Sequence, residues 1–350
     1  MNVDKKILVL NEKIGNMLFD KEAVLPIGLA YGKMGICIYF YHYARITQEK
    51  KYEKIADKLL DQIYSKIDTA QGLNIEHGVL GVGLGIDYLI NRKYVSGNIN
   101  TILEEIDNKV FRLKIQEDSV FETKGYLQLL FYMLIRLRKQ KKGSDNEFIY
   151  REFIIQIVNK VSLTYNESLF ETSASYSIYF ELPIFLYVLG EVYKENFYNQ
   201  KILKILEDMH IKVVSLFPTM HANRLFLLWG ILKIKQSTQL NVWDDHIDML
   251  SKHIDSNWIL TDELKDRDVA IESGAAGIYL LLKDVNRMNS GIVCYDENIV
   301  YQKIVKSSVW KTFESEKTME TTSIGIFAGF CGISYIISEL ENNISFKNIR

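Results

Sequence analysis

The chain has 350 residues, 48% hydrophobic and 25% charged, the composition of a soluble globular protein. Forty-two basic residues against forty-four acidic ones leave a formal charge of −2, so electrostatics give no reason to expect nucleic acid or an anionic membrane as the main partner. Three prolines argue against an all-β protein or a Pro-rich linker, and three scattered cysteines without a CxxC argue for a reducing, cytoplasmic setting. No apolar run is long enough for a membrane span, and the one after the N-terminus is too short for a signal peptide.

Along the chain one short pattern returns. Gly32 and Gly35 stand in GLAYGKMGICIYFYHY, and Gly78 and Gly81 in EHGVLGVGLGIDYLI. Gly274 and Gly277 stand in ESGAAGIYLLL, and Gly329 and Gly332 in FAGFCGISYII. Each G-x-x-G leads into Ile or Val and an apolar stretch. Weaker copies begin at Gly125, Ala174 and Ala222, so that seven anchors follow one another at intervals of 46 to 55 residues.

Each interval has room for two helices. The segment after an anchor is apolar nearly all round, as in Leu127-Gln-Leu-Leu-Phe-Tyr-Met-Leu-Ile135, which predicts a helix buried on every side. The alternate segment is amphipathic: Tyr52 to Ile63 sets Ile55, Leu59, Leu60 and Ile63 on one face. Strict alternation predicts an all-α fold, an α/α toroid of seven helical hairpins forming one domain over residues 1–350. The apolar helices form its inner ring and the amphipathic helices its outer ring. An open solenoid would give its terminal repeats a polar face, whereas here the first and last carry the strongest glycine pairs.

Glycines at i and i+3 share one face of the first helical turn. They either leave the free N–H groups of the helix start uncovered for an anionic or carbonyl-bearing ligand at one mouth, or only permit close packing. On the first reading Gly32, Gly78, Gly274 and Gly329 are substrate-binding, with Tyr31 and Lys124 beside them. The residues before the anchors bring further chemistry to that mouth: Glu76-His77, Met220-His221 and Glu272-Ser273, with Glu122 and Glu171 one step out. Three uses compete for these side chains. They cap helices, or they form an acid–base site in which His77 or His221 carries the proton and Glu272 or Glu76 polarises it, or they build a two-His, two-Glu metal site. Their best use as a catalytic set is His221, Glu272, Glu76 and His77.

His42 reads as a core hydrogen-bonding residue, and His210, His246 and His253 as solvated ones. Cys37 and Cys331 read as inert buried thiols. The basic run Arg136 to Lys142 reads as a helix end and a docking patch for an acidic peptide. Pro183 predicts a kink in the fourth inner helix.

The four G-x-x-G-[IV] starts with their three weaker copies, and above all Ser323-Ile-Gly-Ile-Phe-Ala-Gly-Phe-Cys-Gly-Ile-Ser334, resemble the lanthionine synthetase C (LanC) family over about Leu25 to Leu340. The resemblance implies a cytoplasmic protein of lanthipeptide-type modification whose partner is a ribosomally synthesised precursor peptide, alongside a separate modifying enzyme. It also implies a zinc ion held by a Cys of the fifth repeat and a Cys-His pair of the sixth. Here Met220 stands at the first position, and Glu272 and Ser273 at the other two. Phe121 and Ser173 stand where a family aspartate and histidine are expected. The chain therefore resembles a divergent LanC-like protein without the zinc ligands, and the usual cofactor has no support. Two functions follow: a metal-independent cyclase or lyase, and a non-catalytic peptide-binding or scaffold subunit. A glycan-active α/α barrel is a weaker third. It would need an acidic pair such as Glu76 and Glu272, with Tyr31, Phe121 and Phe327 as aromatic lining.

Overall fold

The computed structural model describes residues 3–18, 25–70, 72–113, 121–315 and 324–347. Within them every regular element is helical. In chain order these are α1 (Val3–Met17), α2 (Lys33–Thr47), α3 (Lys50–Tyr64), α4 (Val79–Asn91), α5 (Ile99–Ile102) and α6 (Glu104–Phe111). There follow α7 (Thr123–Leu137), α8 (Asp145–Thr164), a 3₁₀ turn at Glu167–Phe170, α9 (Glu181–Lys194), α10 (Asn199–Ser215), α11 (His221–Thr238) and α12 (Asp244–Lys252). A short α13 (Ser256–Trp258) runs into a π-helical turn, Ile259–Glu263, and then come α14 (Ala275–Met288), α15 (Glu297–Lys306), α16 (Val309–Ser315) and α17 (Phe330–Lys347). Contacts divide the chain into two compact units. Unit 1 comprises Met1–Val110, Leu264–Gly277 and Asp296–Arg350, and unit 2 comprises Phe111–Glu263 and Ile278–Tyr295.

The expected alternation is present. From Lys33 to Tyr41 every residue of α2 is buried, as is every residue of α4 from Val79 to Asp87. By contrast α3 buries only Tyr52, Ala56, Leu59 and Ile63, with Ile55 and Leu60 at the margins of that face. Unit 1 joins the beginning of the chain to its end. The Tyr39 hydroxyl donates to Asn11 Oδ1 (2.9 Å) and pairs with Ser334 Oγ (2.9 Å), tying α2 to α1 and α17. Phe330 of α17 meets Trp310 and Phe313 of α16 edge-on, at 6.2 and 5.9 Å between ring centres. Ser323, which opens the segment most like the LanC family, lies outside the described residues.

The glycine pairs fit the packing reading. The N–H groups that open α2, α4 and α14 are met by carbonyls seven residues earlier in the preceding loop. Lys33 N–H donates to Pro26 O, Val79 N–H to Gly72 O, and Ala275 N–H to Asp268 O, at 2.8–3.0 Å. These helix starts are thus self-satisfied and not left uncovered, as the second of the two readings has it. For the loop to fold back this closely the helix surface beneath must lack a side chain. A Cβ on Gly81 would lie 2.1 Å from Ile75 O, and one on Gly332 would lie 1.8 Å from Ile326 O.

Unit 2 departs from the sequence expectation in three places. First, the fourth core helix starts at Glu181, seven residues after the Ala174 anchor, so Pro183 falls in its first turn. There its missing N–H has no helical partner to lose, and no kink is required. Second, Arg136 is not part of a surface patch. It is 1% exposed, with its guanidinium 5.9 Å from the Tyr150 ring, and Arg138 is bound to Glu191 and Glu195. Third, His246 is not solvated but 5% exposed within α12, and burial pushes its pKa down. His210 accepts a hydrogen bond from Trp243 Nε1 (2.8 Å), while His253 is exposed.

Candidate functional site

In unit 1 the loops before α2, α4, α14 and α17 are laced together through their backbones. Glu272 N–H donates to Phe327 O (3.1 Å), and Phe327 N–H donates to Ala30 O (3.2 Å). Tyr31 N–H then donates to Glu76 O (3.2 Å), while Leu29 and Gly28 donate to Ile75 O and His77 O (2.9 and 3.0 Å). The result is a belt running from loop to loop. Gly28 is where two loops come closest, since a Cβ there would stand 2.4 Å from the His77 carbonyl carbon.

The belt brings together side chains distant in sequence. The Tyr31 hydroxyl donates a short hydrogen bond to Glu272 Oε2. On its other side the Tyr31 ring lies 5.1 Å from the His77 imidazole, tilted by 32°. Tyr31 and Glu272 are half-buried and His77 is exposed, so the cluster opens to solvent. Because backbone bonds fix both ends of the Tyr31–Glu272 pair, its geometry costs little side-chain ordering on arrival of a ligand. Glu76 supplies its main-chain carbonyl to the belt. Tyr31, expected only as a substrate contact, is thus the residue around which the unit 1 cluster is arranged.

His221 belongs to unit 2 and has separate partners. It opens α11, and its backbone N–H donates to Glu263 Oε1 (2.6 Å), with Ala222 N–H donating to Glu263 Oε2 (2.9 Å). Its Nδ1 accepts the Asp255 N–H (3.0 Å), which places the proton of the neutral ring on Nε2. Helix capping by a carboxylate, weighed for several glutamates, is performed here by Glu263 of the π-helical turn, a residue the sequence did not single out. Lys124, also in unit 2, sits 4.2 Å above the Tyr179 ring near Glu181. Burial raises the pKa of Glu181, Lys124 opposes that rise, and Glu122 adds to it.

The donor set does not suit the zinc that the resemblance implies. Among the described residues no three His, Cys, Asp or Glu side chains converge on one point. Cys37 is buried, donates to Ala56 O (3.4 Å), and has its thiol pKa pushed up by burial and by Asp57. Cys331 is equally buried and shifted the same way, whereas a zinc-binding cysteine needs a favoured thiolate. Glu272, at one implied ligand position, already holds the Tyr31 hydroxyl.

No protein-family model matches the chain, and no curated relative matches it by sequence. Among solved structures it is similar to nisin cyclase, with a TM-score of 0.64 at 13% identity, over 97% of this chain and 94% of that one. That likeness shows the fold class, the all-α, α/α toroid class expected from the repeats. No helix among the described residues is long and apolar enough to cross a membrane.

Proposed function

We propose that this chain is a LanC-like protein of ribosomal-peptide modification that holds a precursor peptide against the unit 1 loops and acts on it as a metal-independent cyclase or lyase. The observation carrying this reading is the meeting of Tyr31, Glu272 and His77 on a backbone-fixed belt in a chain with the fold of nisin cyclase. In it Glu272 is the base and His77 the proton carrier, with Glu76 alongside. Gly32, Gly78, Gly274 and Gly329 shape the wall by letting loops and helix starts close up. A separate enzyme prepares the peptide.

A second reading, a peptide-binding subunit without chemistry, is favoured by one fact: the N–H groups that open α2, α4 and α14 are already bonded to loop carbonyls. Metal content by mass spectrometry, for wild type beside Glu272→Ala and His221→Ala, tests the metal-independent part. No stoichiometric metal is expected in any of the three. Zinc or iron at one equivalent, lost in both variants, overturns it.

A further inference from the structure

We infer that Lys33 is a site of carbamate formation: its side-chain amine takes up carbon dioxide, and the carboxylate so made pairs with Lys66. The proposal is independent of the reading above and concerns the joint between α2 and α3 in unit 1.

Lys33 opens α2, yet it is only 6% exposed. Its Nζ donates to Gln62 Oε1 on α3 (2.6 Å), and among the described residues no carboxylate pairs with it. An ammonium taken out of water and met by one neutral carbonyl is costly, which is why buried lysines are nearly always paired. Lys66 follows Gln62 by four residues, one turn further along the same helix face. Ser65 N–H still donates to Asp61 O (3.1 Å), so the helical course continues to that point. A second ammonium therefore stands beside the first. Lys109 brings a third to the same end of α3, where its Nζ donates to Ile67 O, Asp68 O and Ala70 O (2.6–3.0 Å). Burial first, and Lys66 second, push the pKa of the Lys33 amine down. A desolvated lysine next to another cation is the form in which this side chain acts as a nucleophile.

These features select the electrophile. An enclosed amine admits only a small one, and the neighbouring ammonium favours a product that carries negative charge. Carbon dioxide, supplied by dissolved bicarbonate, meets both conditions, whereas an aldehyde is bulkier and its neutral imine gives Lys66 no charge to pair with. Gln62 accommodates the change, because turning its amide presents N–H where it now presents oxygen.

The step balances. The amine lone pair forms an N–C bond to carbon dioxide, one C=O π pair moves onto oxygen, and the nitrogen releases a proton to water. The net change is R–NH₂ plus CO₂ to R–NH–COO⁻ plus H⁺. A cation repelled by Lys66 becomes an anion attracted to it.

The test holds the full chain in isotopically labelled bicarbonate at neutral pH. Triethyloxonium ion then fixes carbamates as ethyl esters, and peptide mass spectrometry locates them. The α-amino group, which also forms carbamates, is the reference for reagent and carbon dioxide. Lys33 is expected to be labelled more than any other lysine. Gln62→Glu gives the ammonium a carboxylate partner and is expected to cut the labelling of Lys33 about tenfold or more. Lys66→Met removes the exposed cation and is expected to lower it about two- to fivefold. That variant carries the test if Gln62→Glu does not fold. A Lys33 left unlabelled while the α-amino group is labelled overturns the proposal. Labelling of Lys33 that both variants leave unchanged overturns it as well.

Discussion

Units 1 and 2 build the same kind of helix start from different materials. In unit 1 the start is made of backbone: a loop folds back, its carbonyls satisfy the first N–H groups, and glycines clear the space. In unit 2 a side chain performs that work at α11. Glu263 caps α11 with both carboxylate oxygens, and Asn223 Nδ2 donates to Ser173 O (2.9 Å). Backbone-made starts are rigid and tolerate almost no added volume. Side-chain-made starts leave each position freer to change, and they depend on charge. The difference explains why the repeats of unit 1 are vivid in the sequence and those of unit 2 faint.

Substitutions should separate the two designs, and the largest effect belongs to unit 1. Gly332→Ala drives a Cβ to within 1.8 Å of a backbone oxygen that cannot swing away. It should cost about 3 kcal/mol or more, or prevent folding. Gly125→Ala in unit 2 approaches the Phe121 side chain, 2.9 Å from its Cβ, which must shift, and gains helix propensity in return, so it should cost about 1–2 kcal/mol, clearly less than Gly332→Ala. Urea unfolding of the pair measures the contrast, and equal losses would break it.

Next comes Glu263→Ala. It removes the acceptor of two N–H groups at the start of α11 and should cost about 2 kcal/mol, while Glu263→Gln recovers part of that. High salt should narrow the gap between wild type and variant.

The histidines give a pH signature. Burial lowers the pKa of His246 below the ordinary 6.5, so the unfolded chain binds more protons than the folded one in acid. Its contribution is complete above about pH 6.5 and is lost as pH falls, at most about 2 kcal/mol by pH 5. His42 in unit 1 moves the same way, first through burial and then through Arg45 and Arg92, with Glu339 opposing. Urea melts at pH 7.5 and 5.0 should therefore show a smaller acid loss in His246→Gln than in wild type. An unchanged acid loss would count against a buried neutral imidazole.

The smallest effect is reserved for the exposed pair Lys212–Glu167 of unit 2, at 47% and 79% side-chain exposure. Lys212→Ala should shift stability by less than about 0.5 kcal/mol, and thermal unfolding checks it.

Periodicity made most of the fold legible, because glycine pairs and all-apolar runs report a helix start buried on every side. It failed at α9, where neither glycine is present. There Pro183 marks a beginning, and reading it as an interruption put the helix seven residues too early. The site was legible only by residue type. Glu272 and His77 could be placed before helix starts, but the Tyr31–Glu272 bond joins residues 241 apart, and no local pattern encodes a partner at that distance. Glu263 escaped notice because it lies in a π-helical turn, off the helical register that guided the search. A carboxylate three residues after an apolar pair, Ile259-Leu260-Thr-Asp-Glu263, was the only trace it left.

The bond between Tyr39, Asn11 and Ser334 has a consequence for the order in which the molecule is made. Unit 1 needs residues from both extremes of the chain, whereas most of unit 2 is one continuous stretch from Phe111 to Glu263. Translation therefore completes that stretch while α2, among the first helices synthesised, still waits for a partner nearly three hundred residues downstream. During that interval the face of α2 that meets α17 is exposed nascent surface, and a ribosome stalled before Ser334 leaves it uncovered.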